Sequence, residues 1–139
     1  VIPERHGYFR ENTSPELAWK NVPAEAQSLV LLVDDLDYPF THWVVYSIPP
    51  AASGLPEGVI EQPQLPDGTL QGLNSNEVLG YIGPFPPLWE THRYAFTLYA
   101  LDAPLDLGPG ATQEQVLRAM EGHVLTTGEL VGTYVGVAP

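Results

Sequence analysis

Five side chains able to carry charge or exchange protons stand at the edges of apolar runs in this chain: Asp35, Asp37, His42, His92 and Tyr94. Carboxylates can grip an ammonium or orient an imidazole, while imidazole and phenol groups donate hydrogen bonds to an anion. The segment Gly80-Tyr81-Ile82-Gly83-Pro84-Phe85-Pro86-Pro87 lies just ahead of His92-Arg93-Tyr94. Proline fixes its own φ and pushes the residue before it into an extended conformation, so this stretch makes a stiff, preshaped wall. Gly80 and Gly83 are expected to supply positive φ or close backbone approach, leaving peptide N–H groups free to face an anion. His92 and Tyr94, two apart on an extended segment, leave on one face, and Phe96 and Leu98 continue that face into a core.

Strict alternation puts Asp35 on the strand face of Leu29, Leu31 and Val33, and His42 on the face of Val44 and Tyr46. Each polar group therefore points among apolar neighbours, where an ionised carboxylate needs partners, and the histidines are the obvious ones. Several uses of these residues stay open. They can form an internal Asp–His network that only joins strands. Asp35, His42 and His92 can serve as metal ligands, although the chain has no His-x-His or His-Glu-x-x-His spacing. Ser47, Ser53, Ser75 and Thr41 lack the Gly-x-Ser-x-Gly setting of an activated nucleophile. Asp35 and Asp37 stand too close in sequence to flank a sugar from two sides. As a binding site, the carboxylates would repel a bare phosphate unless a histidine were protonated. A zwitterion suits them better: the carboxylates take an ammonium while the Gly83 region, His92 and Tyr94 take the anionic half.

The elements that must position these groups read mostly as strands. Fifteen prolines and 13 glycines cut the 139 residues into short pieces, which favours β-structure with loops over a helical bundle. Ser28 to Val33, apolar on both faces, is predicted to be a central strand. Trp43 to Ile48, Arg93 to Leu101 and Glu129 to Val137 follow as further strands, with a short one at Gly68 to Gln71. One helix is predicted after Thr112, with Gln115 in capping-box spacing, Val116, Leu117 and Met120 as its apolar stripe and Gly122 as its end. Ala51 to Gln64 has no periodicity and reads as an irregular covering connection. The order favours an antiparallel sandwich with a helix at its edge, and the length favours one domain over residues 1–139.

Composition excludes several classes of partner. Five Lys+Arg against 17 Asp+Glu give a net charge of −12, and the lone lysine, Lys20, with Arg5, Arg10, Arg93 and Arg118 forms no basic patch. Such a field repels nucleic acid and anionic membrane surfaces. No cysteine means no disulfide framework and no thiolate metal site. The longest aliphatic run, Leu29 to Val33, is far short of a membrane span, so a soluble protein is expected. The chain opens at Val1 without a signal-peptide pattern, which suggests a processed or trimmed start.

Taken together, the motifs resemble the phosphatidylethanolamine-binding protein family, also known as Raf kinase inhibitor proteins, in its bacterial and archaeal branch. The resemblance rests on Glu11 to Trp19, on Asp35-Leu36-Asp37-Tyr38-Pro39 with His42-Trp43-Val44-Val45, on Gly83-Pro84-Phe85-Pro86-Pro87 with His92-Arg93-Tyr94, and on Ala119 to Leu125. It implies a mainly β fold in which a large antiparallel Greek-key sheet packs with a smaller sheet beside one short late helix. It also implies an anion pocket of Asp35, Asp37, His42, Pro86, His92 and Tyr94 for phosphoryl or phosphoethanolamine-like groups. Gly83 and Pro84 of the loop are expected to join it as ligand-binding residues, with no catalytic residue, metal or cofactor. Inhibition of a kinase or protease through surface contacts is the alternative that the family suggests, and a metal-assisted hydrolase is a third. Leu36 replaces a family proline, which should loosen the turn between the aspartates, and Ile82 stands where glycine is common. Only six residues separate Asp35 from His42, which should cut back one wall of the pocket. Phe85 and Trp89 add rings that could cap a more apolar ligand, pack in a homodimer contact or cover core.

Overall fold

The computed structural model describes residues 1–139. A short 3-10 turn at Glu4–His6 precedes β1 (Leu17–Ala18), β2 (Ser28–Asp35), β3 (Phe40–Ile48), β4 (Gly54–Leu55), β5 (Leu70–Gln71), β6 (Thr91–Leu101), α1 (Gln113–Met120) and β7 (Val124–Val135). Five strands form an antiparallel sheet in the order β5-β3-β2-β6-β7, and β1 pairs with β4 in a second, two-stranded sheet. β2 holds the centre of the large sheet because its side chains from Ser28 to Val33 are buried on both faces.

The two faces have separate cores. Leu29, Leu31, Val33, Trp43, Val45, Tyr94 and Phe96 pack on one face, where Leu55 of β4 joins them and Leu17 of β1 packs alongside. Val30, Leu32, Val44, Tyr46 and Leu101 pack on the other, closed by Val116 and Met120 of α1. The helix is capped as its sequence predicts: Thr112 Oγ1 accepts from the Gln115 N–H, and the Gln115 side chain accepts from the Thr112 N–H. Leu117, however, is not part of its apolar stripe and lies exposed, since one turn of contact through Val116 and Met120 is enough to seat so short a helix.

Several boundaries differ from the sequence reading: β2 runs on to Asp35, β5 starts at Leu70, β6 starts at Thr91, β7 stops at Val135, and β1 was not expected. β7 begins at Val124 rather than Glu129, because Thr126 and Thr127 pair with Ala100 and Tyr99 while remaining exposed, so no alternation of burial marks them. β3 begins at Phe40, where it pairs with Asp35, rather than at Trp43. The connection from Ala51 to Gln64 contains β4, whose two residues are too few to leave a periodic signature.

The register of β2 against β3 carries a departure that shapes everything at this end of the sheet. Val33 pairs with Trp43, but Asp34 pairs with Thr41, so His42 is an extra residue in β3. A bulge of this kind re-aims the side chain it contains. His42 is thereby turned away from the face of Val44 and Tyr46 that alternation assigns it and lies beside Tyr94, with ring centroids 5.2 Å apart. A second bulge follows between the Leu29–Ile48 and Leu31–Val45 pairs, where Ser47 takes a φ of 53°.

Candidate functional site

The hollow of interest lies where β2 ends, β3 begins and β6 begins. It encloses about 350 Å³. Asp35 pairs with Tyr94 across the β2–β6 ladder and with Phe40 across the β2–β3 ladder, so all three side chains share one face. His92 lies two residues before Tyr94 on that same face, and the bulge adds His42. The wall opposite comes from Phe85, Pro86 and Pro87. Of the residues that the sequence singles out, Asp35, Asp37, His42, Pro86, His92 and Tyr94 line this hollow, whereas Gly83 and Pro84 do not.

The expected role of Gly83 is therefore corrected. Its N–H donates to Asn12 Oδ1 at 2.7 Å and so is not free to meet an anion. A Cβ at Gly83 would stand 2.1 Å from the His6 carbonyl oxygen, so the glycine is required for close packing against the N-terminal segment. Gly80 does take a positive φ of 101°, but its N–H donates to the Gly72 carbonyl. The wall is held in place by further bonds: Ile82 N–H to the His42 carbonyl, Tyr8 N–H to the Pro84 carbonyl, and Tyr81 O–H to the His6 carbonyl.

Each charged group at the rim already has a partner. Asp35 Oδ2 lies 2.6 Å from His92 Nδ1, and Asp35 Oδ1 accepts from the Asp37 and Tyr38 N–H groups at 2.7 and 3.1 Å. Those two backbone bonds, with Leu36 N–H to the Arg93 carbonyl, pin the turn that the missing proline was expected to loosen. Asp37 accepts from the Arg93 side chain and backbone N–H, which hold its carboxyl down to about 2. His92 Nε2 faces Glu90 Oε2 at 3.3 Å. With a carboxylate at each nitrogen, His92 is set up to donate from both. Burial opposes its charge, yet the bond to Asp35, then that to Glu90, raises its pKa above the ordinary histidine value.

The floor is different in kind. His42 is 2% exposed and packs among Phe40, Phe85 and Tyr94, with ring centroids 4.7, 5.6 and 5.2 Å away. Burial lowers its pKa, against the opposing pull of the Ile82 carbonyl, to which Nδ1 donates at 2.7 Å. Tyr94 is 1% exposed, and its hydroxyl makes no well-formed hydrogen bond within the protein, although the Asp35 carboxylate stands close beside it. Burial, then the nearby Asp35 carboxylate, pushes the phenol well above its usual range, so it keeps its proton. A buried donor left unmade is costly, which marks this hydroxyl as waiting for something to bind.

Sequence reasoning missed Tyr38, Phe40 and Glu90 as lining residues, and placed Pro87 in the wall without counting it as a ligand contact. Glu90 lies two residues before His92 but ahead of the strand, and its loop is held to the end of β7, where the Gly136 N–H donates to the Glu90 carbonyl. Phe85 forms part of the wall, whereas Trp89 is 79% exposed and lies outside it. No group of three or more His, Asp or Glu side chains is arranged to hold a metal ion. No helix is long and apolar enough to cross a membrane.

Fold and hollow together define a mainly β protein with a carboxylate–imidazole cleft at one end of its large sheet. Residues 1–135 match the model of the family described as phosphatidylethanolamine-binding protein. The chain belongs to that family. It is 54% identical over 136 residues to a UPF0098 protein of Methanothermobacter thermautotrophicus, covering 96% of this chain and 89% of that one. It is 42% identical over 139 residues to a UPF0098 protein of Pyrococcus abyssi, covering 96% and 78%. Among solved structures, it is similar to the phosphatidylethanolamine-binding protein homolog CT736 of Chlamydia trachomatis, with a TM-score of 0.86, 42% identity and coverage of 96% and 88%. It is also similar to YbcL of Escherichia coli, described as a member of the mammalian family, with a TM-score of 0.87, 26% identity and coverage of 96% and 90%.

Proposed function

We propose that this chain is a non-enzymatic binding module, one domain along its length, whose hollow accepts a small phosphoryl-bearing ligand of the phosphoethanolamine type. The observation that carries this reading is the Tyr94 hydroxyl, buried and without a well-formed hydrogen bond, in the same hollow as the His92 imidazole, whose Nε2 is freed to donate when Glu90 swings away. A phosphoryl oxygen placed between them would satisfy the hydroxyl and meet the charge of His92 through charge-assisted bonds. Glu90, whose side chain is 60% exposed, is the carboxylate best able to swing toward an ammonium, since Asp35 and Asp37 are held by His92 and Arg93. The rings of Phe40 and Phe85 favour a linker with hydrocarbon character. Family membership supports the same class of ligand.

The absence of an activated nucleophile favours binding over turnover: no serine lines the hollow, and Asp35 accepts bonds that fix a turn and a histidine. Calorimetric titration with phosphoethanolamine at two pH values, with Asp35→Ala as the comparison, tests the reading. Saturable heat in the wild type that disappears in the variant is expected. No heat at either pH overturns the ligand assignment.

A further inference from the structure

The floor of the hollow offers one hydrogen-bond acceptor as well as one donor, and this restricts the ligand further. His42 Nδ1 points at a carbonyl oxygen, which can only accept, so Nδ1 carries the proton of the ring. Nε2 of the neutral ring is then a lone pair with no partner in the protein, on a side chain that lines the hollow. Beside it stands the Tyr94 hydroxyl, a donor without a partner. A phosphoryl group with no proton has only acceptor oxygens, and one of them would face the Nε2 lone pair. A phosphoryl group that keeps one proton satisfies both, donating P–O–H to His42 and accepting from Tyr94.

The charges around the floor point the same way. Asp35, Asp37 and Glu90 carry carboxylates, His92 and Arg93 are the cations paired with them, and the neutral His42, Tyr38 and Tyr94 are the remaining titratable groups. No cation is left over to neutralise a second negative charge on the ligand.

Resting on the binding function proposed above, we infer that the hollow selects the monoanion of a phosphomonoester, recognised by its single P–O–H group, over phosphodiesters and over fully deprotonated oxyanions. The soluble headgroup, not the diester form it takes within a phospholipid, is then the ligand.

Titrations of the wild-type protein with phosphoethanolamine, inorganic phosphate, glycerophosphoethanolamine and sulfate, each from pH 6 to pH 8, test this. Monoesters lose their second proton near pH 6, so phosphoethanolamine is expected to bind about fifty-fold more weakly at pH 8 than at pH 6. Sulfate and the diester, which have no proton to offer, report the protein's own titration and are expected to bind at least tenfold more weakly than phosphoethanolamine at pH 6. Inorganic phosphate holds its second proton to a higher pH than a monoester, so it is expected to weaken by less than about tenfold over the same range. This offset in its pH profile supports the inference and identifies the P–O–H group as sufficient. Diester or sulfate binding as tight as phosphoethanolamine, with a shared pH profile, overturns the monoanion inference and leaves the broader phosphoryl reading standing. Absence of binding by all four ligands overturns both.

Discussion

Asp34 and Asp35 are neighbours on one strand, identical in chemistry, yet they end in opposite kinds of place. Asp34 faces α1 and is enclosed: the Gln113 amide donates to both its oxygens at 2.8 Å, and the Thr41 hydroxyl lies 2.9 Å away. Burial raises its pKa, with Thr41 and Gln113 pulling against that effect. Asp35 faces the hollow, where it bonds to His92 and to the turn and stands near the Tyr94 hydroxyl without a well-formed bond to it. One network is complete and joins a helix to a sheet. The other stops at an unfilled donor and acceptor. A complete polar network serves stability, and an incomplete one in a shaped cavity is the stronger pointer to a ligand.

The largest expected effect separates these roles. Asp34→Ala should destabilise the fold by about 1–3 kcal/mol, because it strands the Gln113 amide, while phosphoethanolamine affinity changes less than twofold. Asp35→Ala should abolish detectable binding and also cost stability, since it strands His92 and the Asp37 and Tyr38 N–H groups. Chemical denaturation and calorimetry on both variants check this, and an Asp34→Ala variant that keeps its stability but loses binding would break the contrast.

Next in size is Gly83→Ala, which places a methyl against the His6 carbonyl and should cost about 1–3 kcal/mol by overpacking. Binding per folded molecule should be unchanged, since the Gly83 N–H belongs to Asn12. Weakened binding with unchanged stability would return Gly83 to the site.

Tyr94→Phe sharpens the comparison from the other side. Removing an unpaired buried hydroxyl should leave stability unchanged or raise it by up to about 1 kcal/mol, while the affinity for phosphoethanolamine falls about tenfold, the loss of one hydrogen bond to a charged group. A clear loss of stability would mean that the hydroxyl has a partner within the folded protein.

The smallest effects are in the pH dependence, where the two histidines have opposite signs. The folded-state pKa of His92 is raised, so its contribution is fully present below the unfolded value of 6.5 and is lost as pH rises through the higher folded value. The folded-state pKa of His42 is lowered, so the unfolded chain binds the extra proton and stability falls as pH drops below 6.5. Denaturation of His92→Asn beside the wild type should remove the decline on the alkaline side of 6.5 and keep the decline on the acid side. Asp37, held to about 2, adds a loss confined to the range from 3.8 down toward 2.

Most strands were legible because β2 and β6 carry strong apolar runs, and the helix because Thr112 and Gln115 form a local capping box. The first residues of β7, Val124 to Gly128, and the two residues of β4 were not, since exposed or very short strands owe their existence to a partner and not to their own periodicity. At the site, alternation pairs His92 with Tyr94 on one face, whereas joining Asp35 to them takes the β2–β6 register and turning His42 onto that face takes the bulge in β3.

The sequence by itself determined which groups are available: the paired aspartates, the histidines, the stiff proline wall, and the acidic excess that keeps other polyanions away. Only the tertiary structure decided their duties. A bulge set by cross-strand register turns His42 onto the face of Asp35, a contact with the N-terminal segment consumes the Gly83 N–H, and a helix far along the chain closes over Asp34 but not Asp35. The physical reason is that a side chain's partners depend on which backbone stands opposite it, and that is a property of the assembled sheet and not of any one strand.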